Sequence, residues 1–503
     1  SVTNQLTPVG SSCFSIAHEA EIQFGGGSGL RITPNESDAN NLSGRLDRLP
    51  VSSIHRKTLV TLAIIYFFEY ADLNTFSFVA PVLKKEWGMS VTEIGWITSS
   101  SFLGMFIGSV IGGWFADRYG RKRAIMLMTL FFSVFSMLTA VAWNPVILGV
   151  FRFLTGMGVS AALINSSTYI SEFFPSVSRG KFQGIALVVG LLGIPVTGWI
   201  STLLIGLGPF GWKFVFVWGG MGIAGVWFLR HLHEIPRWHV SRGETEKAEA
   251  IVRQVEEQVL REKGELPPVP EPAYRLQAHT AAKGYRELFK GKYRHRTLIL
   301  AMAWIFQTLG FYGFGSWVPT LLVQNGIMLD KSLLYSTLIT IGAPLGALLG
   351  AMISDRFERK WNLVASSLFI AITVFFYGMT VNPLFLIAFG FLVNLIERTY
   401  SSNLYTYTSE MYPTSIRGSG YGLTYGLGRF SNVLGPMLIS LLLLEFGSFS
   451  VFAFISLCWV GSAIALSFGP ATNRRSLDDF ESGEDEIRPF ERTRAMTAMA
   501  KND

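Results

Sequence analysis

Cysteine is nearly absent. The 503 residues carry two, Cys13 and Cys458, which excludes a disulfide framework and a thiolate metal site. Charge is scarce too, at 15% Asp, Glu, Lys and Arg, where a soluble chain carries about 25%. No Gly-x4-Gly-Lys-Ser/Thr loop is present to cradle nucleotide phosphates, so ATP hydrolysis has no site. Gly156-Met-Gly158-Val-Ser-Ala161 imitates a dinucleotide fingerprint, but it lies in an apolar run with no strand before it. None of the seven histidines falls in an expected apolar span, which leaves no buried imidazole relay. His231, His233 and His239 cluster in a polar stretch without the spacing of a zinc site. The chain is therefore read as no enzyme, with no metal and no cofactor.

What is abundant is apolar: half of all residues, with 40 Phe and 51 Gly and a mean hydropathy of +0.37. Runs of bilayer-spanning length, about 20 residues, fall near Thr58–Leu83, Gly95–Ala116, Ala124–Ala142, Pro145–Tyr169, Phe182–Ile205 and Phe214–Leu229. Six more fall near Thr297–Val323, Leu333–Ser354, Trp361–Val381, Pro383–Tyr407, Ser419–Leu444 and Phe449–Gly469. A lone strand leaves its backbone unpaired in hydrocarbon, so these runs are expected to be helices. The expected divisions are an N-terminal tail at 1–57, a six-helix bundle at 58–229 and a charged central loop at 230–296, then a second bundle at 297–469 and a C-terminal tail at 470–503. Residues 1–44 and 470–503 are polar and poor in aromatics, which predicts disorder. The first apolar run starts too late for a cleaved signal peptide. A start at Ser1 is compatible with a missing initiator or upstream segment.

A shift of 238 residues lays the chain on itself. It carries Pro81 to Pro319, and Gly104, Gly108 and Gly112 to Gly342, Gly346 and Gly350. It carries Asp117, Arg118, Arg121 and Lys122 to Asp355, Arg356, Arg359 and Lys360, and Asn165, Tyr169 and Glu172 to Asn403, Tyr407 and Glu410. One constant offset across four helices implies two parallel six-helix halves, with a binding site between them. The glycine ladders read as seams where helices approach closely.

Short loops place Arg118, Arg121, Lys122, Arg123, Arg179, Lys181, Arg356, Arg359, Lys360 and Arg417 on one side. By the positive-inside rule that side, with both termini and the central loop, is expected to face the cytoplasm of a multi-pass protein of the cell membrane. Much of the +7 net charge is then topological, and nucleic acid is not an expected partner. Asn35-Glu-Ser37 matches a glycosylation sequon but falls on the same side.

Gly113-Trp-Phe-Ala-Asp117-Arg118-Tyr-Gly120-Arg121-Lys122-Arg123 resembles the loop-two signature of the major facilitator superfamily, with a weaker copy at Asp355 to Lys360. Arg152-Phe-Leu-Thr-Gly156-Met-Gly158 and Glu234-Ile-Pro236-Arg237-Trp238 resemble patterns of sugar porters and their relatives. Arg45-Leu-Asp47-Arg48-Leu49-Pro50 resembles the entry to helix one in niacin-type metabolite:proton symporters. Glu69-Tyr-Ala-Asp72 stands where aromatic-acid symporters carry Asp-Gly-x-Asp, and Phe306 to Phe314 resembles their seventh helix. The resemblance implies an all-α membrane carrier of twelve helices that moves a small organic acid with protons, and is in keeping with a functional monomer. Its alternatives are a sugar or organic-cation carrier and, further off, a transporter-like nutrient receptor.

The residues themselves mark two places. Glu69 and Asp72 share a face of helix one, and Arg152 lies about 10 Å into helix four. A carboxylate facing that arginine pairs with it when ionised and releases it when protonated, so the three are candidates for proton coupling. The bland alternative is a static ion pair tying helices one and four. In the second half Glu397, Arg398 and Arg429 replace Val159, Ser160 and Leu191 of the repeat. With Phe306, Gln307, Tyr312 and Asn394 they form the expected substrate site, Arg429 being preferred over Arg398 as the carboxylate ligand because Arg398 has a neighbouring acid. Gly113, Asp117, Arg118, Gly120, Arg121, Lys122, Glu172, Arg179, Asp355, Arg356, Arg359, Glu410 and Arg417 form an expected gate. There the acids would sit at helix N-termini or accept from Arg179 and Arg417.

Overall fold

The computed structural model describes residues 42–269, 286–353, 358–412 and 416–471. The first half comprises α1 (Leu42–Asp47), α2 (Ser53–Glu86), α3 (Val91–Tyr119), α4 (Arg121–Thr139), α5 (Pro145–Phe173), α6 (Ser176–Ile205), α7 (Gly211–Gly220) and α8 (Ile223–Leu229). Next come α9 (Pro236–Ser241) and α10 (Thr245–Lys263). The second half holds α11 (Gly291–Gln324), α12 (Leu329–Thr340), α13 (Gly342–Ile353), α14 (Arg359–Met379), α15 (Pro383–Glu410), α16 (Arg417–Phe446) and α17 (Ser448–Ser467). Counting α7 with α8 and α12 with α13 as single crossings, twelve helices among the described residues are long and apolar enough to cross a membrane.

The helices overrun the apolar stretches. α2 starts at Ser53 rather than Thr58, and α11 at Gly291 rather than Thr297. Helical hydrogen bonding continues past the end of an apolar run, because the added polar side chains extend outward along the helix. One consequence corrects the expectation about histidine: His55 lies inside α2, 1% exposed. Its Nδ1 accepts from the Ser52 backbone N–H at 3.3 Å, and its ring sits 5.7 Å from Phe173 and 5.6 Å from Phe174.

The repeat holds in three dimensions, contact by contact. A methyl on Gly104 would strike the backbone of Phe153 and Met157, and one on Gly342 that of Phe391 and Leu395, the same positions moved by 238. Asn144 accepts the Ile147 N–H at 2.8 Å to start α5, and Asn382 accepts the Leu384 N–H at 3.0 Å to start α15. Each is followed by a proline whose missing N–H costs nothing at that position. The glycine seams therefore fix the α3–α5 and α13–α15 pairs, as the sequence spacing requires.

Contacts between the halves gather at one end, here called the loop end; the other, where the arginines of the short loops lie, is the basic end. Near the loop end Gly95 packs on Ser440 and Pro436, Gly198 packs on Thr337, and the Ser77 hydroxyl donates to the Gly315 and Ser316 carbonyls at 3.1 and 3.0 Å. Lys84 Nζ donates to Gln324 Oε1 at 2.9 Å. Towards the basic end, a methyl on Gly113, Gly180, Gly184, Gly422 or Gly426 would meet nothing within 4 Å. The cross-half contacts of α2, α3 and α6 with α11, α12 and α16 thus lie at the loop end.

The expected N-terminal tail and central loop are not separate segments where described. α10 buries Ala248, Val252, Val255 and Val259, one stripe at helical spacing, against Leu42, Leu46, Leu49 and Ile54. Arg45, 3% exposed, lies between Glu249 and Glu256 at 2.7 and 2.6 Å, and Arg48 reaches Glu256 at 2.7 Å. This layer covers the basic end of the first half.

Candidate functional site

Asp72 is fully buried in α2 and faces Arg152 of α5 at 3.3 Å. The Ser136 hydroxyl of α4 donates to the same carboxylate. Arg152 also reaches the Thr75 hydroxyl at 3.3 Å and the Asp72 carbonyl at 3.4 Å, with the Phe216 ring 5.9 Å away. The pair is enclosed because α7 comes very close: a methyl on Gly219 would lie 2.6 Å from Asp72 Oδ1. Glu69, one turn away and 1% exposed, does not join this pair, and neither of its oxygens accepts a hydrogen bond.

The second half arranges its charges differently. Glu397, fully buried in α15, accepts from Gln307 Nε2 at 2.9 Å and from the Ser401 hydroxyl at 2.6 Å. Its other oxygen lies 3.3 Å from Arg398 Nε, and the Arg398 guanidinium sits 4.2 Å above the Phe311 ring. Arg429 in α16 donates to the Tyr425 hydroxyl at 2.9 Å and to the Tyr312 hydroxyl at 3.0 Å. Among the described residues no carboxylate forms a salt bridge with Arg429. Tyr70 of α2 lies within electrostatic reach of both Arg398 and Arg429, and the Tyr312 ring meets Phe102 of α3 at 4.9 Å. The two arginines therefore face the space between the halves, at the level of Tyr70. Asn394 lines a small cavity there with Asn74, Ser77 and Phe311.

Phe306 does not belong to this group. Its ring fills the place a methyl on Gly461 of α17 would take, 2.9 Å away. One residue of helix turns the side chain by about 100°, so Gln307 reaches Glu397 while Phe306 faces the neighbouring helix. Phe314, likewise, packs on Tyr377 at 5.1 Å.

At the basic end the acids pair otherwise than expected. Asp117 pairs with Arg121 one turn on, and Arg121 also reaches Glu172 at 3.5 Å. Arg359 pairs with Glu410 at 2.9 Å, the same couple moved by 238. Arg179 is exposed and pairs with neither Asp117 nor Glu172. The seam brings α3 and α5 together at Arg121, whereas Arg179 lies in the first turn of a different helix, α6. Asp355 and Arg356 lie outside the described residues, as does the side chain of Arg417. Gly113 makes no close contact. Arg118 lies 5.8 Å from the Trp114 and Tyr119 rings.

Three residues at these sites, Glu234, Gly219 and Ser136, were given no role from the sequence. Glu234, rather than Asp117, caps α4: its Oε1 accepts the Lys122 N–H at 2.9 Å. Gly120, with φ of 99°, lets the chain turn beneath that carboxylate, and Lys122 Nζ ties down the Arg230 carbonyl at 2.8 Å. Gly219 and Ser136 complete the Asp72 site. The signal for Gly219 was present in Gly219-Gly220-Met-Gly222, which also breaks the helix between α7 and α8.

Pseudo-symmetric halves of membrane-length helices, one enclosing a buried ion pair and the other turning two arginines to the space between them, are the architecture of a membrane transporter. The chain belongs to the sugar (and other) transporter family of the major facilitator superfamily, whose family model matches residues 58–483. It is 48% identical over 444 residues to the putative metabolite transport protein YyaJ of Bacillus subtilis, covering 88% of this chain and 98% of that one. The niacin transporter NiaP of Acinetobacter baylyi is 28% identical, covering 87% of this chain and 99% of the relative. The xylose transporter XylE of Escherichia coli, in a partially occluded inward open conformation, shares the fold with a TM-score of 0.68 at 18% identity, covering 84% of this chain and all of that one.

Proposed function

We propose that this protein imports a small organic acid, an aromatic carboxylate, together with protons, by exposing the site between its halves to each side of the cell membrane in turn. The observation that carries the reading is Arg429, a guanidinium inside a membrane helix held by two phenol hydroxyls and, among the described residues, by no carboxylate. Leaving such a charge without an anion is costly, and a substrate carboxylate supplies one in a paired, charge-assisted geometry. Tyr312 and Tyr425 beside it, and Phe311 beside Arg398, supply aromatic rings for a flat substrate. The likeness to a niacin transporter supports this class, niacin being a pyridine carboxylic acid.

Asp72 is the proton site in this reading. Its proton breaks the pair with Arg152 and frees α2 against α5, while its loss restores the pair. Glu69 is a second proton site, because an ionised carboxylate there has no donor. The basic end faces the cytoplasm with both termini, and the protein works as a monomer whose driving force is the proton gradient. Proteoliposomes with an imposed pH gradient test it: labelled benzoate- or pyridine-type acids are expected to accumulate, and collapse of the gradient to stop them. Sodium-driven uptake, or preference for a neutral sugar, would overturn it.

A further inference from the structure

Between the halves, Asn74 and Ser77 of α2, Ser336 and Thr340 of α12 and Asn394 of α15 gather with Phe311 of α11 around a cavity of about 40 Å³. That volume holds one hydroxyl or one water, whose share of the liquid is about 30 Å³. Most of these polar groups are already engaged. The Ser77 hydroxyl donates to the Gly315 and Ser316 carbonyls, and that of Thr340 to the Thr337 carbonyl at 2.7 Å. Asn74 and Asn394 each donate from Nδ2 to a carbonyl of their own helix, Tyr70 at 2.8 Å and Gly390 at 3.1 Å, which leaves their amide oxygens as acceptors. Ser336 is the exception: it is 3% exposed, and among the described residues its hydroxyl has no hydrogen-bond partner. A buried hydroxyl left unpaired costs free energy, and this one lines the cavity.

The repeat shows that the scaffold does not require this arrangement. Under the shift of 238, Ser336 corresponds to Thr98, whose hydroxyl donates to the Ile94 carbonyl at 2.8 Å. Asn394 corresponds to Gly156, which packs against the Ser101 carbonyl. The distance from the cavity to the arginines follows from two helices that run in opposite directions. On α2, Asn74 lies four residues beyond Tyr70, the residue level with Arg398 and Arg429; on α15, Asn394 lies four residues before Arg398. Both steps lead towards the loop end, and four residues of helix rise about 6 Å. A benzene ring spans that distance from its carboxyl carbon to an oxygen at the para position. Phe311 joins the two places, since it lines the cavity and carries the Arg398 guanidinium 4.2 Å from its ring.

We propose that this cavity is a specificity subsite for the far end of the substrate. With the carboxylate at Arg429, a hydrogen-bonding group para to it enters the cavity, accepts from the Ser336 hydroxyl and donates to the amide oxygen of Asn74 or Asn394. The inference rests on the carboxylate role of Arg429 proposed above and adds a second point of recognition to it.

The test is a calorimetric titration of the purified full-length protein with benzoate, 4-methylbenzoate, 3-hydroxybenzoate and 4-hydroxybenzoate. The 4-hydroxy acid should bind about tenfold more tightly than the other three, the worth of one net hydrogen bond. The methyl analogue fills the same place without a donor, and the 3-hydroxy acid carries its donor off the line to the cavity. Ser336→Ala should abolish the difference between the 4-hydroxy and 4-methyl acids. Equal affinity of the wild type for those two would overturn the subsite and leave the carboxylate role of Arg429 standing, whereas binding of none of the four would remove both. A preference for the 4-hydroxy acid that survives in Ser336→Ala and in Asn394→Ala would place the far end of the substrate elsewhere and overturn the assignment.

Discussion

Arg152 and Arg429 are both set within membrane helices, and their surroundings are opposites. Arg152 is 2% exposed and faced by Asp72, Thr75 and a carbonyl, so the charges of its site balance within the first half. Arg429 has, among the described residues, hydroxyl and ring partners but no carboxylate, and borders the space between the halves. Under the repeat Arg152 corresponds to Gly390 and Arg429 to Leu191, so neither charge has a twin. The contrast divides the labour. A closed ion pair responds to a proton and nothing larger, whereas an unbalanced cation at an open cavity responds to an anion brought from outside.

The largest expected effect removes the closed pair's response. Asp72→Asn keeps the shape but cannot lose a proton, so gradient-driven accumulation should vanish while substrate exchange at equal pH survives. Full accumulation by the variant, measured in proteoliposomes, would leave Asp72 as a structural tie alone. The matching change at the open cation is Arg429→Lys. A point charge loses the bidentate fork, and binding of the acid should weaken by roughly thirtyfold, given about 2 kcal/mol for a charged hydrogen bond. The wild type should prefer acid to amide, and the variant should narrow that gap. Equal binding of acid and amide by the wild type would make Arg429 a helix tether.

Gly219→Ala sharpens the comparison from the first half, because the new methyl would lie 2.6 Å from Asp72 Oδ1. Overpacking costs about 1–3 kcal/mol, so accumulation should fall by about tenfold while affinity at Arg429 stays. A loss of affinity instead would show that the two sites are not separable. A smaller effect is expected at the basic end. Asp117→Asn loosens Arg121, which also holds Glu172, and should slow turnover a few-fold with substrate binding unchanged. Equal loss of both would make the loop-two signature a folding element.

The repeat was legible because packing seams need glycine at fixed spacing, and a seam cannot drift without losing contact; Gly104 and Gly342 state this directly. Asp72 and Arg152 were legible because charge inside an apolar run is rare. Their supporting contacts were not, since Ser136 and Gly219 look like any small residue of a membrane helix. Phe306 was misplaced because a run of aromatics hides which face each ring takes. Arg179 was expected as an acid's partner at the basic end, but Arg121 takes Asp117 and Glu172 instead, because a loop sequence says nothing about which helix stands opposite. The layer of α1 and α10 was missed for a related reason: α10 reads as charged, and its valine stripe packs in one cluster with Leu42, Leu46, Leu49 and Ile54, some 200 residues away.

That layer also separates the halves, and its response to acid is the mildest effect expected. Burial works against the charge of Glu256, but hydrogen bonds from Arg45 and Arg48 outweigh it and hold its carboxyl below the ordinary value of 4.5. A group lowered in this way stabilises the fold fully above its unfolded value and loses that contribution as pH falls through the folded one. Arg45 keeps its charge throughout, since the same acids hold its guanidinium above the ordinary range despite burial. Hydrogen exchange of the α10 amides, corrected for intrinsic rates, should therefore be level from pH 7 to about 5 and faster only below the ordinary glutamate range. α17 in the second half lacks such a pair and should show no step there. Glu256→Gln removes the charge at every pH, so its α10 should exchange at pH 7 as the wild type does in acid. If the variant's α10 is as protected as the wild type's, the valine stripe alone holds the layer and the ion pairs are surface ornament to it.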